Sequence, residues 1–281
     1  MRKLGLAAIV TGLWWAVLVC APWANAAETR VQSAPHTRLT LLSESNFVEP
    51  GKPLHLGLLF EIDPHWHIYW INPGDSGEPP HVKWNLPPGL QAGALQWPAP
   101  TRLVNGPLTD YGYQDRVLLM SPVRVPRGLS ASQITIAADV RWLVCHDICI
   151  PAKASTSLAL PVDHDAPAAL SGQAALFRAA REGLPQPLPS AWRVIADDLG
   201  DAFRIRVLAG SSIRSASFFP LEFNQVENSK PEMSTPLPNG VEVVVFKSDQ
   251  LLKPVGRLRG VLVIDGGRAY ELKAAVQRGA S

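Results

Sequence analysis

Regular alternation broken at short intervals is the feature that most narrows the folds open to this chain. From Leu54 to Glu61, Leu54, Leu56, Leu58 and Phe60 fall on one face and His55, Gly57 and Glu61 on the other. That two-residue period is the mark of a half-buried strand. Ile134, Ile136, Ala138, Val140, Trp142 and Val144 repeat it against Thr135, Asp139 and Arg141. In that register Cys145 is expected on the wetter face, as a reachable thiol. Pro50-Gly51, Asn72-Pro73-Gly74, Pro87-Pro88-Gly89 and Asn105-Gly106-Pro107 mark turns. Many short strands with frequent turns predict a sandwich or barrel.

The texture changes after Pro161. Ala166 to Glu182, with Pro167 near its start and Gly183 just past its end, reads as one helix. Leu184-Pro185-Gln186-Pro187-Leu188-Pro189 then reads as a stiff linker. Alternation resumes with Phe203, Ile205 and Val207 against Arg204 and Arg206, and again over Val241 to Phe246. Leu258 to Ile264 and Ala269 to Val276 flank Asp265-Gly266-Gly267, a hairpin signal. The expected class is all-β: two β-sandwich domains, 27–163 and 190–281, joined by a helix and Pro-rich linker over 164–189. Nothing in the second domain ties it to a chemistry.

Arg2 and Lys3, the apolar stretch Leu4 to Val19, and the small-x-small site Ala24-Asn25-Ala26 predict a signal peptide over 1–26, cleaved near Ala26. A retained anchor fits less well, because the apolar stretch is short and Pro22 follows it. Cys20 follows Val19 where a lipoprotein site wants a small residue, so it is expected to leave with the leader. No later stretch has the 18 or more apolar residues of a membrane span, which predicts an exported, soluble mature chain. Its length, 281 less 26 or 255 residues, suits two domains. Without Arg2 and Lys3, the 26 basic residues become 24, matching the 24 acidic ones. Near-neutrality argues against nucleic acid or anionic lipid as the main partner.

Export leaves Cys145 and Cys149, in "WLVCHDICIP", where disulfides persist. A structural staple is one reading, but a bridge closing about five residues stabilises by only about 2 kcal/mol on chain-entropy grounds. Metal binding is a second: two thiolates are half a zinc shell, with His146, His65, His67 or Met120 as candidate partners, and Cu(I) needs fewer ligands. Thiol–disulfide exchange is the third. It needs one thiol that ionises, a second to resolve the mixed disulfide, and access for a partner's sulfur. Protonated His146 would favour a neighbouring thiolate and Asp147 would oppose it.

Three segments together, "WINPGDSGEPPHVKWNLPPG" (70–89), "GPLTDYGY" (106–113) and "WLVCHDICIP" (142–151), resemble the N-terminal periplasmic domain of DsbD-type thiol:disulfide interchange proteins. The likeness spans roughly 36 to 163 and is strongest to the version found in suppressor-of-copper-sensitivity proteins, which links it to copper tolerance. It implies immunoglobulin-like domains, a periplasmic location and a redox-active Cys145–Cys149 disulfide needing no cofactor. It further implies protein-disulfide reductase activity, with electrons passing from a membrane-embedded dithiol partner to a periplasmic thioredoxin-fold protein. Carried over by position, Cys149 forms the mixed disulfide and Cys145 resolves it. Better-known members space their cysteines by five residues instead of three. They also cover the pair with an aromatic cap loop, for which Tyr111 and Tyr113 are the candidates here. The rival reading is a copper chaperone or sensor holding Cu(I) with Cys145, Cys149 and His146.

Other residues attract attention. Asn72, Asp75 and Ser76 mimic a catalytic serine loop, but the G-x-S-x-G elbow is absent, so turn and capping roles are expected. Trp70, Trp84 and Trp97 read as packing aromatics. Asp63, His65 and His67 could set two imidazoles on one strand face, a further metal candidate.

Overall fold

The computed structural model describes residues 27–163 and 169–278; the expected leader, 1–26, lies outside them. The regular elements of the described residues are β-strands and one helix. In the first half a five-stranded sheet runs in the order Gln32–Ala34, Thr37–Ser43, Leu54–Ile62, Arg116–Arg124, Gln91–Ala92. Two three-stranded sheets complete that half. One is Cys149–Pro161, Gln133–Cys145, His81–Asn85; the other is Ile68–Gly74, Leu108–Tyr113, Thr101–Asn105. The alternation is realised as expected: Leu54, Leu56, Leu58 and Phe60 point into one core with Ile134, Ile136, Val140, Trp142 and Val144.

The opposite face of Leu54–Ile62 is drier than the sequence suggested. Gly57 and Leu59 are buried too, because the helix Ala174–Glu182 lies across them. Its Phe177 packs on Leu42, Leu59, Leu118 and Met120. A Cβ on Gly57 would stand 2.6 Å from Leu118 Cδ1 and 3.0 Å from Phe177 Cζ, so only glycine lets the helix approach this closely.

That helix is shorter than expected. Residues 164–168 lie outside those described, and the chain from 169 to 173 is not helical. It is pinned to the sheet instead: the Ser171 N–H donates to Glu44 O, the Ser171 hydroxyl to Ser43 O, and Leu170 bridges Ser45. These bonds to the sheet override the local helix signal. Arg181 then pairs with Glu44 from the last turn, holding the Glu44 carboxyl below the usual range. The Pro-rich segment is not a free spacer either, since Gln186–Pro187 pairs in parallel with Tyr270 and Glu271.

The second half is a single eight-stranded sheet, seven strands in one hydrogen-bonded path and Gln186–Pro187 paired off it, with Arg268–Arg278 as its pivot. That strand pairs antiparallel with Arg257–Ile264 and, at its far end, parallel with Arg193–Asp198. Phe203, Ile205, Val207, Val241, Val243 and Phe218 fill a separate core. The two halves meet where Phe219 leaves strand Ala216–Pro220 and enters the first half's core, edge-on to Trp70 and Tyr111 with ring centroids 6.4 and 5.3 Å away.

Candidate thiol–disulfide site

Strand Gln133–Cys145 and strand Cys149–Pro161 form a long hairpin in which Cys145 and Cys149 are the last cross-strand pair. Both backbone groups of Cys145 face away from Cys149: its N–H donates to His67 O at 3.0 Å and its carbonyl accepts from the His67 N–H at 2.9 Å. The cysteines therefore oppose each other as a non-hydrogen-bonded pair, the kind whose side chains come closest. Their Cα atoms are 4.2 Å apart and the sulfurs are joined as a disulfide.

The two sulfur-bearing residues differ sharply in access. Along the outward face Asp139 and Arg141 are exposed, Leu143 is half-buried, and Cys145 is only 1% exposed. The wetter position expected for Cys145 is thus not what forms, because the His67 bridge adds backbone against the end of this strand. Cys149 is the exposed member.

Tyr69 is the aromatic ring against the pair. Its hydroxyl lies 3.4 Å from Cys149 Sγ and 3.5 Å from Ser76 Oγ. Ser76 in turn donates its hydroxyl to Asp110 Oδ2 at 2.9 Å and its N–H to Asp110 Oδ1 at 2.8 Å. Gly77, at φ +80°, lies flat on the Tyr69 ring; a Cβ there would be 2.1 Å from Tyr69 Cζ. Burial raises the Tyr69 hydroxyl's pKa, with Ser76 opposing and Asp110 adding to the rise, so the phenol stays protonated at neutral pH.

His67 stands edge-on to Tyr69, ring centroids 5.1 Å apart. Burial, then the neighbouring His146, lowers its pKa, while burial raises that of Asp110 against the Ser76 bonds. Their closest approach is 4.0 Å, and both shifts favour the neutral forms. The contact is therefore a neutral imidazole near the Ser76-bound Asp110 side chain, not an ion pair.

A second hairpin, Thr101–Asn105 with Leu108–Tyr113, stands beside the cysteine turn. Asn105 Nδ2 donates to His146 O at 3.1 Å, tying the two tips. Between them lies a cleft of about 350 Å³ lined by His65, His67, Val104, Asn105, His146 and Asp147. Val104 and, in the turn, Ile148 expose apolar side chains, 73% and 65% accessible.

The remaining sequence candidates are distributed as follows. Tyr111 and Tyr113 sit in the core, their hydroxyls donated to Asn228 Oδ1 and Pro98 O. Burial pushes the Tyr111 pKa up to about 12 and that of Tyr113 well above its ordinary value. His146 and Asp147 pair with each other across 3.0 Å in the exposed turn. Met120 lies under the helix. His65 and His67 do not share a strand face, because His65 occupies the preceding turn at φ +70°. Among the described residues there is no group of three or more His, Cys, Asp or Glu side chains arranged to hold a metal. Trp70 is fully buried, and Trp84 and Trp97 pack at the core's edge. Sequence reasoning did not single out Tyr69 or Asp110. The available signal was the alternation of His67 and Tyr69 against Ile68 and Trp70, which puts both polar aromatics on one side of their strand.

An all-β chain with one half-shielded disulfide at a hairpin tip, under a tyrosine, has the features of a dithiol/disulfide module. Residues 39–161 match the family described as "Thiol:disulfide interchange protein DsbD, N-terminal". The fold resembles that of the N-terminal periplasmic domain of ScsB from Proteus mirabilis, with a TM-score of 0.67 at 15% identity, over 91% of this chain and 100% of that one. The periplasmic chaperone SfaE (12% identity, 84% of this chain and 100% of that one) and the E. coli chaperone DraB (13%, 85% and 97%) align with TM-scores of only 0.20 and 0.18, and carry no argument. No curated protein sequence matches the chain.

Proposed function

We propose that this chain is a periplasmic thiol–disulfide exchange protein, a protein-disulfide reductase built from two immunoglobulin-like domains. It passes reducing equivalents from a membrane-embedded dithiol partner to a periplasmic thioredoxin-fold protein. One observation carries the reading: within a single disulfide, Cys149 is exposed and Cys145 is buried. Such a pair offers a partner one sulfur and keeps the other as a resolving group.

In the reducing half-reaction a partner thiolate attacks Cys149 Sγ. The Cys145–Cys149 bond breaks, Cys145 leaves as a thiolate and takes a proton, and a mixed disulfide joins Cys149 to the partner. The partner's second thiolate then attacks its own half of that bond and expels Cys149. Two electrons and two protons have moved, leaving a dithiol here and a disulfide there. The second half-reaction is the reverse, with Cys149 attacking the acceptor's disulfide and Cys145 resolving it. The Tyr69 hydroxyl, 3.4 Å from Cys149 Sγ, supports this by donating to the Cys149 thiolate, which is expelled in the second step and attacks in the second half-reaction. The sulfurs carry the electrons, so no cofactor is required, and exposed Val104 and Ile148 offer apolar contact to a docking partner. Where export occurs, the 1–26 leader is its signal.

The test is trapping. With a thioredoxin-fold acceptor, Cys145→Ser should accumulate a mixed disulfide through Cys149, whereas Cys149→Ser should give none. Trapping only when Cys149 is removed would reverse the assignment. A wild-type disulfide that fails to equilibrate across a glutathione series would remove the exchange reading altogether.

A further inference from the structure

The loop that seats Tyr69 is gripped from outside its own half. Asn72, at the loop's start, donates its side-chain amide to Pro220 O at 2.8 Å and accepts from the Gly74 N–H. Three residues on, Asp75 Oδ1 accepts from Asn228 Nδ2 at 2.8 Å, while its Oδ2 accepts from the Thr109 N–H at 2.7 Å. The next two residues are Ser76 and Gly77, the pair that touches Tyr69. Pro220 and Asn228 both belong to the second half of the chain. Asn228 is 9% exposed and its side chain bonds the first half through both ends of the amide, since its Oδ1 also accepts the Tyr111 hydroxyl at 2.8 Å. Arg102 completes the grip: it donates to Asn228 O, pairs with Glu232, and lies over the Tyr111 and Phe219 rings.

We propose that Asn228 is a positioning residue for the sulfur site: through Asp75 it fixes the Ser76-Gly77 seat that holds the Tyr69 hydroxyl against Cys149. The second half of the chain thereby sets the reactivity of a cysteine in the first. A generic interdomain contact could be made anywhere along the shared surface. Here the bonds from Pro220 and Asn228 fall on Asn72 and Asp75, in the short stretch that leads directly into the two residues beneath the ring. Glycine at 77 closes the chain of cause, because at a contact this tight any shift of the seat moves the ring. This inference rests on the exchange reading for its biological use, but its physical content is separable from it.

The experiment is therefore a cycle of variants read by alkylation. The full-length protein is reduced with a phosphine, and iodoacetamide modification of Cys149 is followed by mass spectrometry between pH 5 and 10 in wild type, Asn228→Ala, Tyr69→Phe and the double variant. Asn228→Ala should slow alkylation at neutral pH roughly three- to ten-fold, the size of one ordinary net hydrogen bond, and move the pH profile toward alkaline values. In the Tyr69→Phe background the same change should have no further effect. A merely structural Asn228 would lower the melting temperature in both backgrounds and leave the profile in place, and that result overturns the proposal. Equal, additive slowing in both backgrounds overturns it too. Should Asn228→Ala not fold, the isosteric Asn228→Asp keeps the packing and turns a donor into a carboxylate facing Asp75, and is read by the same criteria. Glutathione equilibration of the wild type, run alongside, reports separately on the exchange reading, because alkylation does not depend on the redox potential.

Discussion

Among the described residues the two longest hairpins have tips built in opposite ways. In the second half, Arg257–Ile264 turns into Arg268–Arg278 through Asp265, Gly266 and Gly267, with Asp265 and Gly266 at φ 50° and 67° and the Gly267 N–H donated to Ile264 O. That tip closes without a covalent cross-link, by its left-handed turn and by bonds between Asp265 and the Arg214–Ser215 backbone. The tip in the first half spans His146, Asp147 and Ile148, none of them glycine, asparagine or proline and none with positive φ, and it carries the disulfide. A hairpin of this length does not need a covalent lock, as its counterpart demonstrates, and so short a loop gains little entropy from one. The difference teaches that the sulfur bond in the first tip is better explained by chemistry than by support.

The strongest way to break that contrast is to remove the bond. Cys149→Ser should abolish exchange with any thiol partner while lowering stability by only about 2 kcal/mol, a figure set by the five-residue loop. Urea unfolding beside a glutathione assay reads both quantities. A collapse of the fold with loss of the disulfide would return the pair to the role of staple.

Next in size is Tyr69→Phe. Deleting the hydroxyl leaves the ring on Gly77 and removes the donor beside Cys149 together with its contact to Ser76, so exchange at pH 7 should slow by about ten-fold, the weight of one hydrogen bond to a thiolate. Stopped-flow exchange with reduced glutathione measures it. Unchanged rates would mean that the phenol shields the sulfur without acting on it.

Much of this architecture was legible in the sequence, and the parts that were not share a cause. Period-two runs such as Ile134 to Val144 and the Asp265-Gly266-Gly267 turn report local geometry, and they came out as read. Misreadings arose where one element is covered by another distant in sequence. Cys145 is dry because His67 lies alongside it, Gly57 because Phe177 does, and the first turns of the expected helix gave way to bonds from Ser171 to Ser43 and Glu44. The cysteine pair stood out by residue type. Tyr69 did not, since nothing local distinguishes a tyrosine that meets a sulfur 80 residues away from one filling a core.

A smaller effect separates the tips by pH. His67, whose backbone flanks Cys145, has a folded pKa below its ordinary 6.5, chiefly through burial. A lowered histidine favours the folded state while neutral, so its contribution is fully present above 6.5 and is lost as pH falls through the folded value. Asp110 runs the other way: its raised folded pKa favours folding below the ordinary carboxylate value of 3.8 and costs stability as pH rises through the folded value. The two windows lie at opposite ends of the acid range, so His67→Gln should flatten the loss of stability just below pH 6.5. Melting temperatures measured from pH 7.5 to 5 would show it, and parallel curves for both proteins would place the acid sensitivity elsewhere.

The smallest expected change lies at the sulfur-free tip and serves as the control for the rest. Gly266 adopts φ +67°, and no atom outside its neighbours lies within 4 Å of a Cβ built there, so Gly266→Ala meets conformational strain without collision. A left-handed non-glycine residue costs about 1 kcal/mol, which should appear as a small fall in urea midpoint with the slope unchanged. Cys149 alkylation should keep its wild-type rate and pH profile, because this turn shares no bond with the Asn72–Gly77 loop. If weakening this turn altered Cys149 as strongly as removing Tyr69 does, the two tips would be coupled through the body of the protein. The reactivity of the first would then have to be sought in global stability and not in the tyrosine above it.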